Sequence, residues 1–221
     1  MFAHALISNS IPPVKPSDRA GMVLDWMGEF KVNQLPVVDK GKFIGLVVED
    51  DVLHATDPDE TVEEITRAGW ENAYVNGDAH IYDVLALMSS LKLEVLPVLD
   101  EASLYLGVIT LRDISEYLGQ LFAIHEPGGI LTLQVASNSY VPSEISRIAE
   151  SVDVKVLSFY VAPSPDSQEL QVTVKVNAED LSRLMSAFER YSYKIVHAVQ
   201  RGSRRTDLQE NLDAFIRFLN M

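Results

Sequence analysis

Apolar positions in the first half of the chain follow two rhythms, and both rhythms occur twice. Val23, Leu24, Met27 and Phe30 fall at helical spacing and give a predicted helix one apolar face. Its start is expected at Pro16-Ser17-Asp18, where side-chain oxygens can accept from free amides, after a short strand near Ile11 to Val14. Leu35 to Val38 and Phe43 to Val48 are β-prone runs on either side of a turn at Lys40-Gly41. Ile81, Val84, Leu85 and Met88 then restart the helical pattern, and two more β-prone runs follow it.

The residues themselves repeat. The segment from Met27 through Leu35-Pro36-Val37-Val38-Asp39 returns 61 positions later, from Met88 through Leu96-Pro97-Val98-Leu99-Asp100. Gly45-Leu46-Val47-Val48-Glu49-Asp50-Asp51-Val52 is matched by Gly107-Val108-Ile109-Thr110-Leu111-Arg112-Asp113-Ile114 at an offset of 62. Upstream, Pro13-Val14 pairs with Tyr74-Val75. Each unit reads as strand, helix, two strands and a closing helix, with the units joined around residues 60 to 72. Self-similarity at long period means that each unit buries its apolar face on its neighbour, and two copies predict a closed pair.

Pro127-Gly128-Gly129 interrupts this pattern. Beyond it the expected order is strand 130–136, helix 142–151, strand 153–161, strand 168–177, helix 179–191 and strand 193–199. Alternation in Leu170, Val172, Val174 and Val176 supports the middle strands, and Pro163-Ser164-Pro165-Asp166 is a turn. The βαββαβ order predicts a split βαβ sandwich, with two helices on one face of a four-stranded antiparallel sheet. After Arg201-Gly202-Ser203-Arg204-Arg205, Thr206 and Gln209 form a capping box. Leu208, Leu212, Phe215, Ile216 and Leu219 then stripe a last helix. The expected organisation is therefore repeat one at 1–60, repeat two at 61–122, a linker at 123–129, a third domain at 130–200 and an amphipathic helix at 206–220.

Composition narrows the function classes. A net charge of -14 argues against nucleic-acid binding, which depends on Lys and Arg displacing counterions from phosphates. The acidity is concentrated in residues 1 to 127, with 21 Asp and Glu against 8 Lys and Arg, and its plain reading is a solvated surface. The chain has no cysteine, so disulfide and thiolate chemistry are excluded. No apolar run is long enough to span a bilayer and no secretory signal is visible, so a cytoplasmic location and no membrane partner are expected. Hydrolase-elbow, zinc-protease and P-loop motifs are absent, and His4, His54, His80, His125 and His197 stand singly. Glu49-Asp50-Asp51 with Asp57, Asp59 and Glu60 lacks the glycine and spacing of an EF-hand, which leaves no expected metal site. The expectation is a protein without catalytic residues.

The doubled motif of an apolar residue, Pro-Val, an apolar residue and Asp, followed by Gly, two apolar residues, Thr and Asp three residues on, resembles the CBS domain. Two in tandem look like a Bateman module, here covering about residues 1 to 120. The βαββαβ segment is similar to the ACT domain, and the whole arrangement looks like the acetoin utilisation protein type. The resemblance implies an α+β fold in which paired CBS domains precede a ferredoxin-like, ACT-like domain and a C-terminal helix. It also implies a regulatory, homodimeric protein acting on a partner that the sequence does not name. Its regulatory ligand would be an adenine nucleotide (AMP, ADP, ATP or a related molecule), with no obligatory cofactor.

Residue chemistry supports part of this on its own. Thr110 and Asp113 lie three apart at a strand-to-helix junction, where a carboxylate can accept ribose hydroxyls while free helix amides face phosphate, and Arg112 between them can pair with phosphate. The alternative is that Thr110 caps the helix and Asp113 is a first-turn acid. The family resemblance implies that Tyr74, Val75 and the segment ending at Pro97 wall the adenine. In repeat one, Val48 and Asp50 replace Thr110 and Arg112, so Val14, Pro36 and Asp51 define a weaker site.

The third domain departs from an amino-acid-binding ACT loop. Tyr140 stands where a glycine would fall in Ser137-Asn138-Ser139-Tyr140-Val141-Pro142, with Asn138 near the acid position. Dimerisation is its first expected role and amino-acid sensing its second. A ligand-independent scaffold is the alternative for the whole chain.

Overall fold

The computed structural model describes residues 1–66, 69–164 and 168–200. The chain divides into two compact units between Glu116 and Tyr117. The predicted C-terminal helix with its Leu208 to Leu219 stripe lies outside the described residues, as does the Pro165-Asp166 part of the predicted turn.

The first unit opens with a 3-10 turn at Ala3–Leu6, then α1 (Ala20–Phe30), β1 (Gln34–Asp39), β2 (Lys42–Val48) and α2 (Glu49–Leu53). The second repeat follows as α3 (Val62–Ile65), β3 (Val75–Asn76), α4 (Ile81–Leu91), β4 (Val95–Leu99), β5 (Tyr105–Thr110) and α5 (Leu111–Leu121). α5 runs across the division between the units. β1 and β2 form an antiparallel hairpin, and β3-β4-β5 form a three-stranded sheet with β3 parallel to β4. Both hairpins carry a register shift at the same place, Val37/Val38 and Val98/Leu99.

The fold corrects three sequence expectations. α1 starts at Ala20, because the Asp18 carboxylate accepts the Lys15 N–H at 2.7 Å and closes a turn before the helix. The predicted strand near Ile11 to Val14 reduces to an isolated parallel bridge between Val14 and Val37. Leu24 is 36% exposed, while Val23 and Met27 carry the buried face of α1.

Both first helices end alike. Lys31 and Lys92 adopt left-handed backbone at φ 56° and 55°, and their N–H groups return to the carbonyls of Met27 and Met88. The two repeats share one core, in which Val95 and Val108 pack with Val14, Val23, Met27, Leu35 and Val47. Between the repeats, Asn33 N–H donates to Glu94 Oε2 at 3.0 Å and Glu94 N–H donates to Gln34 Oε1 at 2.9 Å. Asn33 and Glu94 are equivalent positions in the two copies, so a pseudo-two-fold axis passes between them.

The second unit contains β6 (Ile130–Ala136), a 3-10 turn at Ser137–Ser139, α6 (Pro142–Glu150), β7 (Val156–Pro163), β8 (Glu169–Val176), α7 (Ser182–Arg190) and β9 (Lys194–Val199). Its sheet order is β7-β8-β6-β9, all antiparallel, which is the split βαβ topology expected from the alternation. Leu131, Leu133, Val172, Val174 and Val176 meet Ile145, Ile148, Leu184 and Phe188 in the core. Asp153 at φ 61° delays β7 to Val156, and the Asp180 carboxylate accepts the Ser182 N–H at 2.9 Å before α7 begins. The Ser182 hydroxyl, and after it that N–H, hold the Asp180 carboxyl below the ordinary carboxylate range.

Candidate functional site

Two clefts of about 580 and 550 Å³ flank the pseudo-two-fold axis of the first unit. Each takes one wall from the strand-to-helix junction of one repeat and the other wall from the end of the first helix of the other repeat. Thr110, Leu111 and Arg112 thus face Phe30, Lys31 and Val32, with Ser10 and Ile11 beside them. Across the axis, Val48, Glu49, Asp50 and Asp51 face Leu91 and Lys92, with Trp70 beside them. The left-handed caps at Lys31 and Lys92 place one lysine in each cleft.

The polar groups differ between the clefts. Thr110 N–H and Oγ1 both donate to Asp113 Oδ2, at 2.8 and 2.6 Å, and Asp113 N–H donates to Thr110 Oγ1 at 3.2 Å. This reciprocal set caps α5, so the cap reading of the pair is correct as far as it goes. Among the described residues Oδ1 of Asp113 receives no bond. Arg112 is exposed, and its Nε lies 3.3 Å from Glu116 Oε1 one turn on. Arg112 and Lys31 face Glu29 and Glu94 in this cleft, whereas among the described residues the other cleft sets Lys92 beside Glu49, Asp50 and Asp51. Asp51 is 4% exposed.

The residues expected to form the adenine wall do not line this cleft. Val75 pairs with Val98 and Pro97 with Val108 inside the β3-β4-β5 sheet, where both are buried. The Tyr74 ring meets Phe43 of the first repeat edge-on at 5.9 Å. Of the weaker set, Val14 is fully buried and Pro36 is buried opposite Leu46, so only Asp51 reaches its cleft. Sequence reasoning kept each site within one repeat and so missed Lys31, Val32, Ser10 and Ile11. The available signal was the pairing of equivalent positions such as Asn33 and Glu94, which makes each cleft a product of both copies.

The motifs, the duplicated α/β units and the paired clefts define a tandem module of two like domains. The chain belongs to the CBS domain family, which matches it twice, at residues 3–58 and 62–120. It is 25% identical over 155 residues to an inosine-5'-monophosphate dehydrogenase of Methanocaldococcus jannaschii, covering 70% of this chain and 30% of that protein. The chain spans about a third of the length of the curated relatives it matches. Among solved structures it resembles a CBS domain pair/ACT domain protein of Thermotoga maritima, with 27% identity, 53% of this chain, 96% of that one and a TM-score of 0.48. It also resembles the cytosolic domain of the Mg2+ channel MgtE in complex with ATP, with 26% identity, 52% of this chain, 48% of that one and a TM-score of 0.45.

No helix among the described residues is long and apolar enough to cross a membrane. No cluster of metal-binding side chains occurs among them.

Proposed function

We propose that this protein is a regulatory, non-catalytic sensor that binds an adenine nucleotide in the cleft beside Thr110, Arg112 and Asp113. The observation that carries this reading is the contrast between two clefts built on one scaffold. One offers Arg112, Lys31, a hydroxyl and the start of an eleven-residue helix; the other offers Val48 and a run of three acids at its junction. A phosphate chain is drawn to the first and repelled by the second. Oδ1 of Asp113 is the acceptor for a ribose hydroxyl, with Oδ2 already engaged in the cap. Phe30 and Val32 supply apolar surface for the base.

Regulation requires that the nucleotide favour one of two states of the protein, since equal affinity for both shifts nothing. The ferredoxin-like unit is read as ACT-like and as a dimerisation module, which makes the sensor a cytoplasmic homodimer acting on a separate target protein. The reciprocal cap between Thr110 and Asp113 favours a second reading, a ligand-independent scaffold in which these residues only start α5. Calorimetric titration with AMP, ADP and ATP decides between them. Saturable binding that Arg112→Ala weakens supports the sensor; no heat with any of the three supports the scaffold.

A further inference from the structure

The cleft beside Thr110 carries a carboxylate at a position where its counterpart carries an amide. Glu94 and Asn33 are matched residues, and each gives its carbonyl to the helix that follows its hairpin: Asn33 O accepts Glu49 N–H at 2.8 Å, and Glu94 O accepts Leu111 N–H at 3.0 Å. Each residue therefore stands beside the helix start at which its cleft opens. In the first repeat that neighbour is neutral; in the second it is an acid.

The acid is tied in place. Glu94 Oε2 accepts the Asn33 N–H at 3.0 Å and Oε1 accepts Asn33 Nδ2 at 3.4 Å, while the Glu94 N–H is itself bound to Gln34 Oε1 at 2.9 Å. The side chain is half-buried, and it lines the cleft beside Thr110. Its charge belongs to the wall of the cleft, unlike that of the exposed Glu29.

Donors at the same place are few. Of the first three amides of α5, Leu111 N–H is given to Glu94 O and Asp113 N–H to Thr110 Oγ1, which among the described residues leaves that of Arg112 for a ligand. The cations lining the cleft among the described residues are Lys31 and Arg112, set against Glu29 and Glu94. One phosphate group, with about two negative charges at neutral pH, is matched by those two side chains and that amide. A second or third phosphate would find no further cation and would bring its charge up to Glu94.

We propose that Glu94 sets the charge limit of this cleft, so that it takes a nucleoside monophosphate in preference to a free di- or triphosphate. The inference rests on the nucleotide reading of the cleft and adds which member of that class fits. Base and ribose are common to all three nucleotides, so contacts to them cannot discriminate. A like charge placed where the longer chain must run can, because juxtaposed like charges reject an otherwise identical partner.

The test is calorimetric titration of the full chain with AMP, ADP and ATP in EDTA, at low and high salt, for the parent and for Glu94→Gln. The parent should bind AMP roughly tenfold more tightly than ATP, with ADP between them, in keeping with uncompensated like charge at a partly exposed site. Glu94→Gln keeps an oxygen for the Asn33 N–H and removes the charge, so it should raise ATP affinity about tenfold and AMP affinity less, closing the gap. Raising the salt from about 0.05 to about 0.5 M should narrow the gap in the parent, a reading that needs no variant. ATP binding as tightly as AMP in the metal-free parent, or a gap left unchanged by Glu94→Gln or by salt, overturns the inference while the nucleotide reading stands. If none of the three nucleotides binds, that reading fails and this inference with it.

Discussion

Asp113 and Thr110 hold each other at the start of α5, with one carboxylate oxygen accepting both the Thr110 N–H at 2.8 Å and its hydroxyl at 2.6 Å. The pair is therefore structural before any ligand arrives, and its orientation is fixed. An Asp113→Ala variant loses the cap and the second carboxylate oxygen together. A stability loss of about 1 kcal/mol is expected from the cap, read as a lower urea midpoint. Adenine-nucleotide affinity should fall by more than tenfold in the same protein. Thr110→Ser keeps the hydroxyl and should preserve both properties; loss of binding there would mean that the threonine methyl, not the cap, shapes the cleft.

Exchanging the polar ends of the repeats tests the contrast between the clefts. Thr110→Val with Arg112→Asp gives the second junction the chemistry of the first. Removing one charge-assisted phosphate contact and adding a repelling charge should lower nucleotide affinity roughly 100-fold, or about 3 kcal/mol. The reciprocal Val48→Thr with Asp50→Arg should create affinity in the cleft that contains Asp51. Titration of both double variants reads the result directly, and equal affinity in the two would show that these positions do not select the cleft.

The apolar framework was legible because burial enforces spacing. Val23 and Met27, with their copies Val84 and Met88, are buried on their helices as the period required. The alternation of Val172, Val174 and Val176 likewise fixed one face of β8. The cleft walls were less legible, since Lys31 and Thr110 are far apart in sequence and meet only through the packing of one repeat on the other. Tyr74 and Pro97 follow from motif position alone, and their neighbours in the structure are Phe43 for the one and the strand partner Val108 for the other. Polar residues carry no periodic signature, so their neighbours come from topology.

Gly45 and Gly107 are the same residue in the two copies, but only one is required. Gly107 has φ 149° and lies under Ile7, Ser8 and Asn9, whereas a side chain at Gly45 would make ordinary contacts. Gly107→Ala should cost on the order of 1–3 kcal/mol through backbone strain and displacement of the N-terminal segment. Gly45→Ala should stay within about 0.5 kcal/mol of the parent. Amide exchange at Val108, whose N–H bonds to Ser8 O, locates the effect: it should quicken in Gly107→Ala and not in Gly45→Ala.

The second unit should carry its own alkaline transition. Tyr193 Oη donates to Glu144 Oε2 at 2.8 Å, tying the start of β9 to α6. Burial, then the hydrogen bond and the charge of Glu144, push the Tyr193 phenol up to about 12. An unfolded tyrosine titrates near 10, so between about 10 and 12 the folded state holds the proton that the unfolded state has released. The contribution is fully present below about pH 10 and is lost as pH rises through about 12. Tyr193→Phe removes this dependence, and the difference in stability between parent and variant should shrink across that window. Tyrosinate absorbance gives a second reading, because the parent should show one phenol titrating near 12 that the variant lacks. A parent–variant difference that stays constant from pH 9 to 12 would show that the Glu144 bond does not couple this tyrosine to folding.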